Sequence, residues 1–213
     1  MLLSCEIDHI TITAPDLTSG AAYVETLLGI APQAGGEHPR MGTHNMFVRL
    51  GSALFLEIIA INPAAPRPGR SRWFALDALK PDSKPRLSNW VARTPDIRAA
   101  LSQTQEYLGD IEAMSRGDNH WLITIPQDGS LPFDGIAPAL IEWHTARHPA
   151  TGMQDFGMSL LKLELLHPDA ATIGELIQKL GVQGDVMVKP VSTGQPAQLI
   201  AHIMTPRGLR ILT

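Results

Sequence analysis

Ile7-Asp8-His9-Ile10-Thr11-Ile12-Thr13-Ala14-Pro15-Asp16 is the stretch that decides the fold, because the chain repeats it. Arg86-Leu87-Ser88-Asn89-Trp90-Val91-Ala92-Arg93-Thr94-Pro95-Asp96 carries the same strand pattern and the same Pro-Asp stop. Ser159 to Asp169, closing on Leu166-His167-Pro168-Asp169, carries them a third time. Alternation with period two marks a strand. Proline ends it, and the aspartate can accept from the free N–H groups at the start of a helix. Repeated units set matching residues at matching places in space, so distant positions can be assigned to one site.

Working outward, the first unit has a strand from Glu6 to Ala14 and a helix behind Asp16. Leu17, Tyr23, Leu27 and Leu28 form its apolar face and Gly29 its end. A Gly-rich polar segment runs from Gln33 to Gly42, followed by a strand from Thr43 to Leu50. The turn Gly51-Ser52 leads into a closing strand from Ala53 to Ile61. The order is βαβββ, with the second strand weakest. Pro63, Pro66 and Pro68, with Arg67, Arg70 and Arg72, mark a solvated linker. Trp73 to Leu79 is expected as a short helix, and Lys80 to Lys84 as a polar connection. The second unit has a strand from Leu87 to Arg93 and a helix from Asp96 to Leu108. Strands follow at Ile111–Ser115, Trp121–Ile125 and Ala139–Thr145. The loop from Pro126 to Pro138 is long enough to cover a site. The third unit has strands at Leu160–Leu166, Val186–Val191, Gln198–Thr205 and Gly208–Leu212, and a helix at Asp169–Leu180. The expected organisation is an α+β domain over residues 1–150, made of units 1–62 and 85–150 joined by the linker 62–84. A third, structural βαβββ unit follows over 151–213.

With 213 residues, 44% of them hydrophobic, the chain can bury a sizeable core, and with only 5% aromatic that core must be aliphatic. Lys and Arg total 17 against 21 Asp and Glu, so no concentrated basic face suits nucleic acid. The longest apolar stretch, Ala53 to Ile61, is broken by Glu57 and is too short to span a bilayer. Cys5 is the single cysteine, which fits a reducing compartment and forbids an intrachain disulfide. Leu3-Ser4-Cys5 looks slightly like a lipoprotein cleavage box. No basic or apolar segment precedes it, and Glu6 and Asp8 follow. A cytoplasmic protein is the expectation.

The repeated unit resembles the vicinal oxygen chelate, or glyoxalase-like, superfamily. The resemblance to its glyoxalase-like domain branch is carried by Asp8-His9-Ile10, Gly42-Thr43-His44-Asn45, Phe55-Leu56-Glu57-Ile58, Arg72-Trp73-Phe74, Trp90 before Arg93, Ile141-Glu142-Trp143 and His148-Pro149. It covers most of residues 5 to 150, and the third unit resembles a divergent copy. The resemblance implies that two units pair into a cupped sheet of eight strands, with site residues on the first and last strands of each. Function must still be argued from those residues.

Aligned on their Pro-Asp stops, the units set His9 against Asn89 and Lys162; aligned on their closing strands, they set Glu57 against Glu142. His9, Thr11 and Thr13 share one strand face, and Ile10 and Ile12 the other. Carboxylates and an imidazole converging in a dry cup are costly unless paired, and a divalent cation removes that cost. His9, Glu57 and Glu142 are therefore the expected metal ligands, for zinc, nickel, iron or manganese. Glu142 and His144 are the expected proton shuttles. Asn89 is a weak ligand where the family's metal enzymes commonly have a better one. The site is then three-ligand, completed by His44 or His144, or it has lost its metal. His44 is expected to face the cup with Met46 and Val48; if Asn45 faces in instead, it is a hydrogen-bonding group. Arg40, beside His38 and Pro39, is either a contact for an anionic substrate group or a solvated loop residue. Trp90 is expected in the core, Arg93 at the cup rim or on the surface, and His148, His167 and His202 as structural or surface residues.

Two functions compete, and a third, a structural or interaction module with no ligand, is opposed by the inward polar set. One is a metal-dependent lyase or isomerase acting on a small carbonyl-bearing or oxygen-rich metabolite. Ring-cleaving oxygenation is disfavoured, because the oxygenase site resembles two histidines plus a glutamate and the second strand-start histidine is missing. The other is a metal-free protein that binds or sequesters a small molecule, as some relatives of antibiotic-resistance type do. Lys162 and Leu209-Arg210-Ile211-Leu212 give the third unit no metal site. Its exposed sheet needs cover, from its own chain or from the same unit of a second copy in a homodimer.

Overall fold

The computed structural model describes residues 4–192 and 194–213; Leu3 of the Leu3-Ser4-Cys5 stretch lies outside them. The first unit is β1 (Cys5–Thr13), α1 (Leu17–Leu28), β2 (Gln33–His38), β3 (Thr43–Gly51) and β4 (Leu54–Ile61). The second is β5 (Arg86–Arg93), α2 (Ile97–Leu101), β6 (Asp110–Arg116), β7 (Asn119–Ile125) and β8 (Ala139–Trp143). The third is β9 (Ser159–His167), α3 (Ala170–Lys179), β10 (Val182–Gln183), β11 (Val186–Pro190), β12 (Gln198–Thr205) and β13 (Gly208–Leu212). All three Pro-Asp stops cap helices. Asp16, Asp96 and Asp169 accept the backbone N–H of Ser19, Ala99 and Thr172.

The two units share one α+β sheet, with its main strands in the order β2-β3-β4-β1-β5-β8-β7-β6. In each, the opening strand lies parallel to the closing strand, β1 to β4 and β5 to β8. The two opening strands meet antiparallel at the centre. The sheet therefore has a pseudo-twofold axis between β1 and β5. It curls into a half-barrel whose edge strands β2 and β6 approach each other. Arg40 closes this gap: it donates to the Ala113 carbonyl at 2.7 Å and pairs with Glu112.

Ile10, Ile12, Leu56, Ile58, Trp90, Ala92 and Leu140 line the convex face. They share one core with Val24 and Leu28 of α1 and with Leu163, Leu165, Ile173, Leu176 and Ile203 of the third unit. The third unit thus packs on its own chain, and β10 adds to Cys5 and Glu6 of β1. Its sheet runs β11-β9-β12-β13. Here the next strand, β11, lies parallel to β9, with β12 antiparallel on the other side. Apart from the extra β10, the element order is repeated, but the closing strand β13 does not return to the opening one. Met187, Met204, Leu209 and Ile211 remain exposed.

Two expected helices are shorter than their sequences suggest. α2 stops at Leu101 rather than Leu108. Beyond it, Ser102 Oγ donates to the Ala99 carbonyl at 2.7 Å and Thr104 Oγ1 accepts the Glu106 N–H at 3.1 Å, which offers the backbone an alternative to the helix. Of Trp73 to Leu79, only Leu76–Ala78 forms a 3-10 turn. The segment before it is not a fully solvated linker. Arg72 is buried and paired with Asp77 at 2.6 Å, and Trp73, Phe74 and Leu76 insert into the concave side of the sheet.

Candidate functional site

The concave side is divided. Across the second unit it is filled: Val91, Met114, Trp121, Ile123, Ile125 and Ile141 pack with Trp73, Phe74 and Leu76. Phe74 and Ala75 hold left-handed backbone, φ 58° and 53°, which a surrounding structure must enforce. Part of that structure is the loop from 126 to 138, where the Gly129 carbonyl accepts the Ala75 N–H at 2.8 Å. A Cβ on Gly129 would lie 2.0 Å from the Arg72 carbonyl oxygen, so only glycine permits this approach. The loop therefore does cover the cup, but it covers a plug. Asn89 lies under it, beside a space of about 10 Å3 lined by Trp73, Phe74 and Leu131. That space is separate from the one shared by His9 and Glu57.

Across the first unit the concave side is polar. Ile7 of β1 pairs with Ala92 and His9 with Val91, so Asp8 is an extra residue, a β-bulge. Strict alternation would send Asp8 to the convex face with Ile10. The bulge instead leaves it fully buried against the site, where its carboxylate accepts three N–H groups. These come from His9 Nδ1 at 2.6 Å, His148 Nε2 at 2.9 Å and Trp143 Nε1 at 2.8 Å. Burial alone would raise the Asp8 pKa. The hydrogen bonds and charges of His148 and His9 outweigh it and hold the carboxyl well below its usual range. His148 Nδ1 accepts the Ala150 N–H at 3.2 Å, which leaves Nε2 to carry the proton toward Asp8.

His9 is thereby fixed. Asp8 holds Nδ1, Phe55 stacks on the ring at 4.6 Å and 17°, and Nε2 faces Glu57 Oε2 at 3.7 Å. Glu57 is fixed too, because Asn45 Nδ2 donates to its Oε1 at 2.6 Å. Asn45 Oδ1 accepts from the Gly36 N–H at 2.8 Å and from Arg116 Nη1 at 3.3 Å. A Cβ on Gly35 would stand 2.2 Å from Asn45 Oδ1, so the Gly-Gly pair in β2 exists to let that strand close over the amide.

Behind this row, Arg116 Nη1 also lies 3.3 Å from His38 Nε2, and His38 Nδ1 lies 3.1 Å from Thr43 Oγ1. A guanidinium only donates. His38 Nε2 must therefore accept, and Nδ1 carries the proton to Thr43. Burial, with the positive charge of Arg116 second, pushes the His38 pKa down to about 3, so this ring stays neutral. Burial also lowers the Arg116 pKa. Together His9, His38, Asn45, Glu57 and Arg116 line a cavity of about 30 Å3 walled by Phe47, Phe55, Trp73, Trp121 and Trp143.

Of the expected site residues, the structure brings together His9, Glu57 and Asn45 and sets others elsewhere. Glu142 is not in the cup. Its neighbour Ile141 is, so Glu142 points to the opposite face, where it accepts the Ile97 N–H at 2.8 Å. His144 is half exposed and pairs with Glu142 at 2.6 Å, away from His9. His44 alternates with Asn45 and faces away from the cavity that Asn45 lines. Arg40 is engaged with Glu112. Arg93 pairs with Glu6 at the end of the sheet, and Trp90 is in the core, donating to the Ile136 carbonyl at 2.8 Å. The residues missed are Asp8, His38, Arg116, Trp143 and His148. His148-Pro149 and Asp8-His9 were visible as motifs, but neither aspartate nor second histidine could be assigned while β1 was read as regular.

Two βαβββ units paired into one curled sheet, with a polar row on the first and last strands of one unit, define a protein of the vicinal oxygen chelate class. The glyoxalase-like domain family model matches residues 7–181, and the chain belongs to that family. The match runs past residue 150, through α3. No curated protein matches the chain. Among solved structures, a hypothetical protein from Staphylococcus aureus is similar at 14% identity and TM-score 0.63, over 93% of this chain and 88% of that one. A mutant of 4-hydroxymandelate synthase from Streptomyces coelicolor is similar at 14% identity and TM-score 0.51, over 96% of this chain and 60% of that one. Methylmalonyl-CoA epimerase from Mycobacterium tuberculosis gives 14% identity and TM-score 0.41, over 64% of this chain and 85% of that one. The first two likenesses speak for the fold alone. Among the described residues no helix is long and apolar enough to cross a membrane.

Proposed function

We propose that the chain is an enzyme of lyase or isomerase type that moves a proton on a small oxygen-bearing metabolite, with His9 and Glu57 as the transferring pair. The observation that carries this reading is the Asp8–His9–Glu57 row. Asp8 holds His9 Nδ1, so in the neutral ring Nε2 offers a lone pair. The facing carboxylate of Glu57, 3.7 Å away, also only accepts when ionised. Two acceptors face each other across a gap that one proton satisfies. Such a pair can take a proton from a carbon beside a carbonyl, the electron pair passing to the carbonyl oxygen, and return it to the same carbon or its neighbour. No redox change is needed.

The resident metal that the family resemblance implies, zinc, nickel, iron or manganese, is not supported by the donor set. His9 and Glu57 are two donors, and their counterparts across the pseudo-twofold are Asn89, a weak ligand that lines a separate space, and Ala139, which is no ligand. Among the described residues no group of three His, Cys, Asp or Glu side chains could hold an ion. Protein-held catalytic metals usually have three protein ligands. The proton transfer is therefore assigned to the side chains themselves. The competing reading, a binding protein, draws on the aromatic walls of the cavity, which would hold a ligand without turning it over.

The test is deuterium wash-in. Protein is incubated in D2O with a panel of enolisable carbonyl compounds, neutral and acidic, and exchange at carbon is followed by NMR. Exchange is expected, falling about 10^2- to 10^4-fold in Glu57→Gln. Ligands that bind without exchange would establish the sequestration reading instead. A stoichiometric transition metal whose removal abolishes exchange would restore the metal-dependent one.

A further inference from the structure

Arg116 is the guanidinium beside the cup that no carboxylate engages. Arg40 and Arg70 grip Glu112, Arg72 pairs with Asp77 and Arg93 with Glu6. Among the described residues Arg116 has no carboxylate within 4.0 Å. Its partners are neutral: His38 Nε2 and Asn45 Oδ1, both at 3.3 Å and both through Nη1, and the Phe47 ring at 5.1 Å. Nε and Nη2 make no hydrogen bond to the described residues, although a guanidinium carries five donors in a planar fork. This is a charge partly withdrawn from water, which Glu57 steadies only at a distance across the Asn45 amide and which has no carboxylate in contact, a costly arrangement that an arriving anion relieves.

Its position shows where that anion enters. Arg116 and Phe47 stand between the inner cavity of His9 and Glu57 and an outer groove of about 380 Å3 that also touches Arg147, His148 and Asn119. Inside, Asp8 and Glu57 repel an anion; at the wall, Arg116 attracts one. A bound acid is thus held with its charged end at Arg116 and its next carbons toward His9 and Glu57. Trp73, which also lines the inner cavity, has a buried Nε1–H with no acceptor, a second donor in want of an oxygen. Only a small head fits the inner space, and a planar carboxylate matches the guanidinium fork through two parallel bonds.

We propose that the ligand of this site is a short carboxylic acid bearing an oxo or hydroxy group, and that Arg116 is the residue that binds its carboxylate. The assignment builds on the proton-transfer reading for the reacting end, but the carboxylate contact is tested apart from it. Trp73, Trp121 and Trp143 line the cavity and report occupancy by fluorescence. The wild type, Arg116→Gln and Arg116→Lys are titrated with pyruvate, 2-oxobutyrate and lactate, with the methyl esters of the same acids, and with inorganic phosphate. Thermal melting confirms that each variant is folded.

At least one acid is expected to bind where its ester does not. Arg116→Gln is expected to weaken it about tenfold to hundredfold, with partial recovery in Arg116→Lys. Esters binding as well as acids, an unchanged affinity in Arg116→Gln, or no acid binding at all would overturn the assignment. Arg116-dependent binding of phosphate alone would overturn it in favour of a phosphorylated ligand. Acids that bind through Arg116 without deuterium wash-in leave the carboxylate site standing and end the proton-transfer reading. Wash-in on neutral carbonyls, indifferent to Arg116, does the reverse.

Discussion

The two halves of the curled sheet share a pairing plan and differ in what they put on it. In the first, Thr11 of β1 pairs with Glu57 of β4; in the second, Val91 of β5 pairs with Ala139 of β8. On the concave side one half carries Asp8, His9, Asn45 and Glu57, and the other carries Val91, Ile123 and Ile141 sealed by Trp73 and Phe74. Both halves contain a closing-strand glutamate. Glu57 falls on the concave face and Glu142 one residue off it, and a one-residue offset in a strand turns a side chain to the other side. A shared backbone plan fixes where positions stand; it does not make equivalent residues of equal type.

If the first half is organised around Asp8, removing that carboxylate is the most damaging single change to the comparison. Asp8→Ala leaves three N–H donors without their acceptor, the one on His9 buried and those on His148 and Trp143 partly so. A loss of about 3–5 kcal/mol is expected in urea unfolding. The 15N NMR signature of a fixed His9 tautomer should disappear with it. A cost below about 1 kcal/mol, the range of an ordinary exposed pair, would mean that the row is held by something else.

The halves also differ in what acid should do to them. His38 lies in the polar half and has its pKa pushed down to about 3 by burial, then by Arg116, His44 and His9. Above the unfolded-state pKa of about 6.5 the ring is neutral in both states, and the folded state keeps its full advantage. As pH falls below that value the unfolded chain binds a proton that the folded chain refuses, so stability declines until about pH 3. The Asp8 carboxylate adds to the decline only below about pH 4, where an unfolded aspartate begins to protonate. His38→Gln keeps an acceptor for Arg116 and removes the titrating nitrogen. It should remove the His38 share of the decline in urea midpoints from about pH 6.5 down to about 3, leaving below about pH 4 only the share that the carboxylates contribute. A wild-type midpoint that is already level there would show that His38 is not the buried neutral ring described.

How much of this was legible beforehand depends on which physical rule governed each residue. The strands and the three aspartate caps follow local rules, alternation and capping, and these are written into Ile7–Thr13 and the Pro-Asp pairs. Glu57 and His9 share the concave face, where regular alternation relative to their neighbours puts them. Asp8 was not legible, because a bulge is decided by pairing with β5 and nothing in Asp8-His9 announces it. Glu142 was misplaced by matching residue type to residue type rather than register to register. The plug was invisible for another reason. Pro63, Pro66, Pro68 and the arginines read as a solvated linker, while Trp73 and Phe74 are drawn in by a surface that exists only after both units have paired. Arg116 carries no motif at all, and its meaning comes from the carboxylates it does not meet.

The smallest expected effect is also the sharpest discriminator between the two glutamates. Glu142 accepts the Ile97 N–H at the start of α2 and pairs with His144, whose side chain is largely in solvent. Glu142→Gln keeps an acceptor oxygen for Ile97 and loses only the charge. The cost should be about 0.3–1 kcal/mol, the range for a carboxylate at an exposed helix start. The cavity of His9 and Glu57 lies on the opposite side of β8, so ligand affinity and deuterium wash-in should stay at wild-type levels. Glu57→Gln, the same chemical change on the concave face, should lower wash-in by about 10^2- to 10^4-fold. If instead Glu142→Gln lowers turnover as Glu57→Gln does, then both halves act on the ligand, and the division between a working half and a plugged half is wrong.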